Sequence, residues 1–355
     1  MPQITIRELA EICGVAVSTV SRAMNDRSEV SPGTRERILA AAAEHGYVAN
    51  VSARSLKITS AKLIAAVIQG ETSPLLLTLF GLLGTQLAER GYGLTLTQVA
   101  EDSAHADTVA RVVNERKHAG VVFLGRYGDQ DHGEGQDLGR SLARIGVPMV
   151  FCTTADFSGV SQMHSSVSVD DRAGGYELTR HLLDLGHRRI AFASEGEAAD
   201  AQHVWALRLA GYRQALAEAC GSQERGLVLP AALPSANYSM ANGHESVRRH
   251  LAAHGLTFTA LVCSCDSVAV GATRALIEAG YRVPEDCSVT GFDDLDIARY
   301  TTPSLTTVAQ PLADIAATTA RVLLLAVEQP IVAPEQVWIR GRLIERGSSG
   351  PPASA

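Results

Sequence analysis

The sequence predicts a small all-α helix-turn-helix headpiece with a hinge helix behind it, followed by an α/β core of two doubly wound subdomains. Three observations carry this. Residues 5–25 pattern as two short helices about a glycine. Residues 50–60 offer one weak, two-turn helix. From Ala61 onward, apolar runs alternate with helical segments, and the alternation occurs twice over.

In TIRELAEICGVAVSTVSRAMN, Ile6, Leu9, Ala10 and Ile12 supply an apolar face. Thr5 and Glu8 have the spacing of a capping box. Gly14 stands where the first helix must stop, because a left-handed residue costs least as glycine. A second helix begins near Val17, with Val20 and Met24 facing the first. Val17, Ser18, Ser21, Arg22 and Asn25 occupy the other side. An apolar methyl pair, hydroxyls and a guanidinium on a short exposed helix suit base edges in the DNA major groove. The competing reading of this stretch alone is an ordinary surface helical hairpin.

A third helix follows the polar loop 25–33, with Ser31 and Thr34 as caps and Pro32 in its first turn. Ile38, Leu39 and Ala42 form its expected inner stripe. The segment NVSARSLKITS places Ala53 and Leu56 on one face. It is too short to hold as a helix in water without something packed on it. AKLIAAVIQG then reads as a buried parallel strand. Two α/β halves of this size enclose a cleft, and ligands of such folds sit beyond the carboxyl ends of the strands. The expected division is 1–49 for the headpiece, 50–60 for the hinge and 61–346 for the core. Within the core, the first subdomain takes 61–164 plus 310–340 and the second takes 165–309 plus the final segment; 347–355, GSSGPPASA, is expected to be disordered.

The composition narrows the function classes. Hydrophobic residues at 46% of 355 can build sizeable cores. The net charge is −7, yet residues 1–62 hold eight Lys/Arg against six Asp/Glu, so the amino-terminal piece is the part that tolerates phosphates. So small an excess implies weak binding by one copy and hence a homodimer. No apolar stretch approaches the roughly 20 residues of a membrane span. The start MPQITIRELA is not a secretory leader, which gives a cytoplasmic expectation, nucleoid-associated when DNA-bound. The six scattered cysteines read as reduced, and Cys263 and Cys265 as structural; no metal or cofactor is expected. His132 sits in an acidic loop that reads as solvated. Neither a nucleophile elbow nor a phosphate-cradling loop is present, so the chain is not expected to be an enzyme.

The whole span from Thr5 to Arg346 resembles regulators of the lactose/galactose repressor family. The resemblance rests on TIRELAEICGVAVSTVSRAMND, VSPGTRERILAAAAEHGY, NVSARSL, VDDRAGGYELTRHLLDLGHRRIAF, ALRLAGY, CDSVAVGA, RVPEDCSVTGFDD and PSLTTVAQP. It implies a dimer on a palindromic operator and a periplasmic-binding-protein-like core holding a small-molecule effector, most simply a sugar. By position, Val17, Ser18 and Arg22 match base-reading places, and Thr5, Thr19, Ser21, Asn25, Ser31, Thr34, Tyr47 and Asn50 match phosphate-side places. Leu56 matches a hinge leucine that wedges into the minor groove, with Ala53 as its small neighbour. In the cleft, Arg208, Asp293, Tyr238 and Gln310 match effector positions, with Thr153, Leu75 and Cys265 beside them. Asp266 reads as a helix cap.

Departures from the family pattern bear on the ligand. Ala16 replaces a common serine, Cys265 a common asparagine, and Thr153-Thr154 a common Asp-Arg pair. Ser73-Pro74-Leu75-Leu76 stands where Asn-Pro-Phe-Phe is common. The first subdomain is therefore expected to give an apolar, uncharged wall, with a ligand less hydroxylated than a disaccharide or one held mainly by the second subdomain. Release of DNA by a carbohydrate inducer is the first expectation. A purine or nucleoside corepressor is the alternative, and a transporter's solute-binding protein is the alternative of another class.

Overall fold

The computed structural model describes residues 4–24, 30–45, 62–70, 72–100, 105–125, 142–154, 164–194, 204–221, 226–232, 238–329 and 333–353. The chain divides into two compact units, Met1–Ala61 and Lys62–Ala355.

In the first unit, α1 (Ile6–Ile12), α2 (Val17–Met24) and α3 (Pro32–Glu44) bury Leu9, Ala10, Cys13, Val20, Ala23, Val30, Ile38 and Ala42. The capping box forms: Glu8 N donates to Thr5 Oγ1 at 3.3 Å, and Thr5 N donates to Glu8 Oε2 at 2.6 Å. Gly14 turns the chain at φ +62°. Ser31 caps α3 through Thr34 N at 3.4 Å. Two residues expected inside lie largely outside: Ile12 is 50% and Leu39 is 44% exposed. Leu9 and Cys13 in and beyond α1, and Ile38 and Ala42 on α3, take the inner i, i+4 positions, which turns their neighbours outward. Asn25, Tyr47, Asn50, Ala53 and Leu56 lie outside the described residues.

The second unit holds two six-stranded sheets. In the first, β1 (Leu63–Gln69), β2 (Gly93–Val99), β3 (Gly120–Leu124), β4 (Met149–Cys152), β5 (Ser165–Val169) and a late strand, Gln336–Ile339, run parallel in the order late strand-β5-β4-β3-β1-β2. In the second, β6 (Ile190–Ala193), β7 (Leu227–Leu229), β8 (Ala260–Cys263), β9 (Ser288–Asp293) and β10 (Thr306–Ala309) are parallel. With Gln336–Ile339 as β11, the closing strand β12 (Arg342–Ile344) pairs antiparallel with β10.

Helices α4 (Pro74–Ala88) and α5 (His105–Arg116) cover the first sheet. Helices α6 (Asp171–Asp184), α7 (Val204–Cys220), α8 (Met240–His254), α9 (Asp266–Glu278) and the short α10 (Ile297–Tyr300) belong with the second. α11 (Leu312–Glu328) returns to pack on α4 and on β3–β5. No helix among the described residues is long and apolar enough to cross a membrane.

Two expectations are corrected. The expected second subdomain begins at residue 165, but Ser165–Val169 pairs with β4 and β11 in the first sheet. Ser165, Ser166 and Ser168 hide it from an apolar-run criterion. The tail is ordered as far as Ala353. Ser348 is 1% exposed; its Oγ donates to Val289 O at 2.6 Å and accepts from Thr306 N at 2.9 Å. His187 Nε2 donates to Gly350 O at 2.8 Å, and Gly350 N donates to Ser288 Oγ at 3.1 Å. The tail thus clasps β9, β10 and the end of α6.

The chain crosses between the sheets three times: after β5, after β10 and between β11 and β12. These connections adjoin. Asp170 N donates to Ile339 O at 3.0 Å. A Cβ on Gly341 would stand 2.7 Å from the Val308 side chain and 3.4 Å from that of Val169.

Candidate effector and DNA sites

Small residues set the spacing of the site-bearing helices. A Cβ on Gly175 of α6 would lie 2.8 Å from Arg208 Cα of α7; one on Gly211 of α7 would lie 2.6 Å from Tyr176 N. The two backbones touch because neither glycine has a side chain. Gly243 of α8 and Gly271 of α9 do the same, at 2.8 Å from Val268 C and His244 N.

The close α6–α7 contact brings Asp171 to Arg208. Arg208 is 4% exposed. Its Nε donates to Asp171 Oδ1 at 2.8 Å, its Nη1 donates to the Ser264 carbonyl, and its Nη2 stands 3.6 Å from Asp293 Oδ1. The guanidinium carbon lies 3.7 Å from the centre of the Phe292 ring. Burial opposes the charge of Arg208, but Asp171, Asp293 and Tyr238 outweigh it and hold its pKa above the ordinary value. Burial raises the pKa of Asp171, and Arg208 limits that rise.

Gln310, at the crossover after β10, donates Nε2 to Asp293 Oδ1 at 2.7 Å. A carboxylate only accepts, so this bond fixes the amide's orientation. Gln310 Oε1 and Asp171 Oδ2 are buried with no hydrogen-bond partner, as are Thr154 Oγ1 just past β4 and Ser168 Oγ on β5. Thr153, Tyr238 and Asp293 share another property: φ values of +56°, +55° and +121°, uncommon for residues with a side chain.

The expected effector residues are distributed as follows. Arg208, Asp293 and Gln310 form one bonded cluster, and Tyr238 acts on Arg208 electrostatically. Cys265, 2% exposed, follows the Ser264 carbonyl that Arg208 uses. Thr153, 7% exposed, ends β4 and donates Oγ1 to Cys152 O at 2.7 Å. Leu75 opens α4 and packs on its core. Asp294 separates from its neighbour by pairing with Arg346 at 2.6 Å and Arg299 at 3.5 Å.

Asp266 is no helix cap. It accepts from Thr307 Oγ1 at 2.6 Å and from Leu295 N at 2.7 Å, tying α9 to the β9–α10 loop. Burial, then Asp293, pushes its pKa well up. Sequence reasoning missed Asp171 and Phe292; the doubled aspartate of VDDRAGG was the available signal.

In the headpiece unit, Val17 (41% exposed), Ser18 and Arg22 line the outer side of α2, opposite buried Val20 and Ala23. Thr19 and Ser21 are half-buried on its flanks. The α2 start lacks the hydroxyl that Ala16 replaces; the Ala16 carbonyl accepts from Thr19 N at 2.8 Å and Val20 N at 3.2 Å. Thr5 Oγ1 also donates to Glu8 Oε2 at 2.8 Å, and Ser31 Oγ lies 2.8 Å from Thr34 Oγ1, so these hydroxyls serve caps on an exposed surface. The Thr5 backbone and side-chain bonds hold the Glu8 carboxyl below the usual range. No disulfide joins any of the six cysteines, all of which lie among the described residues, and burial pushes the Cys152 thiol up to about 11. Among the described residues no group of three or more His, Cys, Asp or Glu could hold a metal ion.

Residues 5–50 match the description "Bacterial regulatory proteins, lacI family", and residues 179–349 match "Periplasmic binding protein-like domain". The chain is 31% identical to the HTH-type transcriptional regulator MalR of Clostridium butyricum, over 90% of this chain and 91% of that protein. It is 30% identical to the ribose operon repressor of Escherichia coli K12, over 97% of this chain and 99% of that protein. Among solved structures, the lac repressor dimer bound to operator and the anti-inducer ONPF superposes with a TM-score of 0.78 at 26% identity. That match covers 98% of this chain and 100% of the other.

Proposed function

This chain belongs to the lacI family of bacterial regulatory proteins, and we propose that it represses sugar-uptake or catabolic genes as a homodimer released from a palindromic operator by a small carbohydrate. One observation carries the reading. The chain joins a headpiece whose α2 exposes Val17, Ser18 and Arg22 to a two-sheet core with a buried Arg208–Asp293–Gln310 cluster at strand ends. The first feature suits base edges, and the second suits the hydroxyls of a small ring.

In this reading Val17 meets a thymine methyl, Ser18 a base edge, and Arg22 a guanine. Thr5, Thr19, Ser21, Asn25, Ser31, Thr34, Tyr47 and Asn50 fix the docking on phosphates. Leu56, beside Ala53, wedges into the minor groove between the half-sites. In the core, Arg208, Asp293, Gln310 and Tyr238 hold the effector, and Thr153, Leu75 and Cys265 border it. The effector must bind one arrangement of the two sheets more tightly than the other, since only differential affinity shifts an equilibrium. The relatives named above are regulators, and this chain acts by binding rather than by turnover, in the cytoplasm of its cell.

Selection of full-length protein on randomised DNA, with and without sugars, tests the reading. Enrichment of an inverted repeat whose binding a sugar weakens is the expected result. Enrichment of no symmetric site would overturn it. Leu56→Ala should reduce both operator affinity and bending, and unchanged bending would remove the wedge.

A further inference from the structure

Two neighbouring aspartates divide their labour at the start of α6. Asp170 caps the helix through Ala173 N at 2.9 Å. Asp171, 1% exposed, is therefore not needed as a cap. Its Oδ1 is committed to Arg208 Nε at 2.8 Å, while Oδ2 is buried without a partner. Gln310, 7% exposed, is in the same condition: its amide nitrogen is committed to Asp293, and its oxygen has no partner.

Both orphaned atoms are acceptors, and a buried acceptor without a donor is costly. They belong to one cluster of two carboxylates and one guanidinium, so the cluster carries excess negative charge. Arg299 and Arg346, the cations on the adjoining Asp294, are paired there. A group that completes this cluster must donate hydrogen bonds and must not bring a negative charge.

We propose that Asp171 is a specificity-determining residue of the effector cleft: Oδ1 positions Arg208, and Oδ2, with Gln310 Oε1, accepts from the hydroxyls of an uncharged polyhydroxylated ligand. The phosphorylated or carboxylate forms of the same ligand are rejected, because they bring acceptors and charge to a site already rich in both. The proposal rests on the ligand-responsive reading above and narrows it to a charge class.

Matched pairs test it on the full-length protein: D-ribose against D-ribose 5-phosphate, and D-glucose against D-gluconate and D-glucose 6-phosphate. Calorimetry gives affinity, and operator release gives response. An uncharged member should bind at least about 100-fold more tightly than its anionic partner. Asp171→Asn turns the free acceptor into a donor. It should weaken the uncharged member roughly 10- to 100-fold and shrink the neutral-to-anionic ratio.

Gln310→Leu leaves Asp171 in place. It should weaken the uncharged member about 10-fold without shrinking the ratio, and it keeps the test open if Asp171→Asn fails to fold. Unchanged affinity in both variants, as when a trapped water satisfies both acceptors, overturns the proposal. An unchanged ratio in a folded Asp171→Asn protein reduces Asp171 to a structural role and also overturns it. Binding by anionic members alone overturns the proposal while leaving a ligand-responsive regulator standing. Failure of every compound to bind or to release operator overturns both.

Discussion

Replacing Gly211 with alanine should destabilise the core by about 3 kcal/mol, and the figure can be worked from the α6–α7 contact. The new Cβ would stand 2.6 Å from Tyr176 N, and the Arg172 carbonyl oxygen lies nearer still. Both obstacles are helix backbone and cannot rotate away. Restoring ordinary contact at roughly 3.5 Å requires about 1 Å of separation for Tyr176 N alone, and more for the Arg172 oxygen. Overpacking of this kind costs about 1–3 kcal/mol. The same separation stretches the 2.8 Å bond between Arg208 and Asp171, a charged hydrogen bond worth about 1.5–3 kcal/mol. Against this, alanine in a helix interior returns up to about 1 kcal/mol over glycine. The balance corresponds to a fall in melting temperature of roughly 6–12 °C by circular dichroism. Gly33→Ala is the comparison, since a Cβ there meets nothing within 4 Å; it should leave the headpiece unchanged or slightly steadier. A Gly211→Ala protein melting at or above the parent would refute the idea that glycine contact sets the helix spacing.

Three further outcomes are expected. Arg208→Ala strands the buried Asp171 carboxylate and should cost about 3–5 kcal/mol in urea unfolding, whereas the double variant Arg208→Met with Asp171→Leu should recover most of the loss. No recovery would show that packing on Phe292, rather than the stranded charge, dominates. His187 and His181 have pKa values pushed below the ordinary one, chiefly by burial. Between the folded and unfolded pKa values the unfolded chain binds more protons, so stability falls as pH drops through that range. Denaturation midpoints should therefore be lower at about pH 5.5 than at about pH 7.5, and His187→Gln should flatten the slope; an equal slope in the variant would take His187 out of the account. Thr5→Ala removes the hydroxyl that accepts from Glu8 N and donates to Glu8 Oε2, while the backbone half of the capping box survives; it should lower headpiece stability by about 0.5–2 kcal/mol, read by chemical-shift perturbation and thermal melting.

What could be read from sequence was whatever is encoded locally. Thr5, Glu8 and Gly14 lie within ten positions of one another, and their chemistry fixes the first helix and its end. The long apolar runs of β1, β3 and β4 announced themselves in the same way. The failures share a different cause. Ser165–Val169 is a strand because β4 and β11 supply its partners, not because its serines favour one. GSSGPPASA has the composition of a floppy tail, yet its small polar side chains are what fit between Val289, Thr306 and His187. Asp171 stands directly after the aspartate that caps α6, and nothing local in VDDRAGG distinguishes the two. Arg208, Asp293 and Gln310 were found from family position. Their mutual bonding could not be, since it depends on the β9–β10 pairing that brings Gln310 to Asp293 and on the packing that brings α7 to them.

The three adjoining crossovers are where a pivot between the two sheets would lie. Residues near a pivot move least, while points far from it sweep the longest arcs. Gln310 lies on one of these crossings and is bonded to Asp293 at the same time. On the proposed effector reading, a ligand that shifts Gln310 would act close to that pivot. The far margins of the two sheets lie farthest from it, so any rotation would displace them more than it displaces the crossover. Three strands of chain side by side also resist shear more than a single strand would. Any relative motion of the two sheets would then be held close to rotation about one axis.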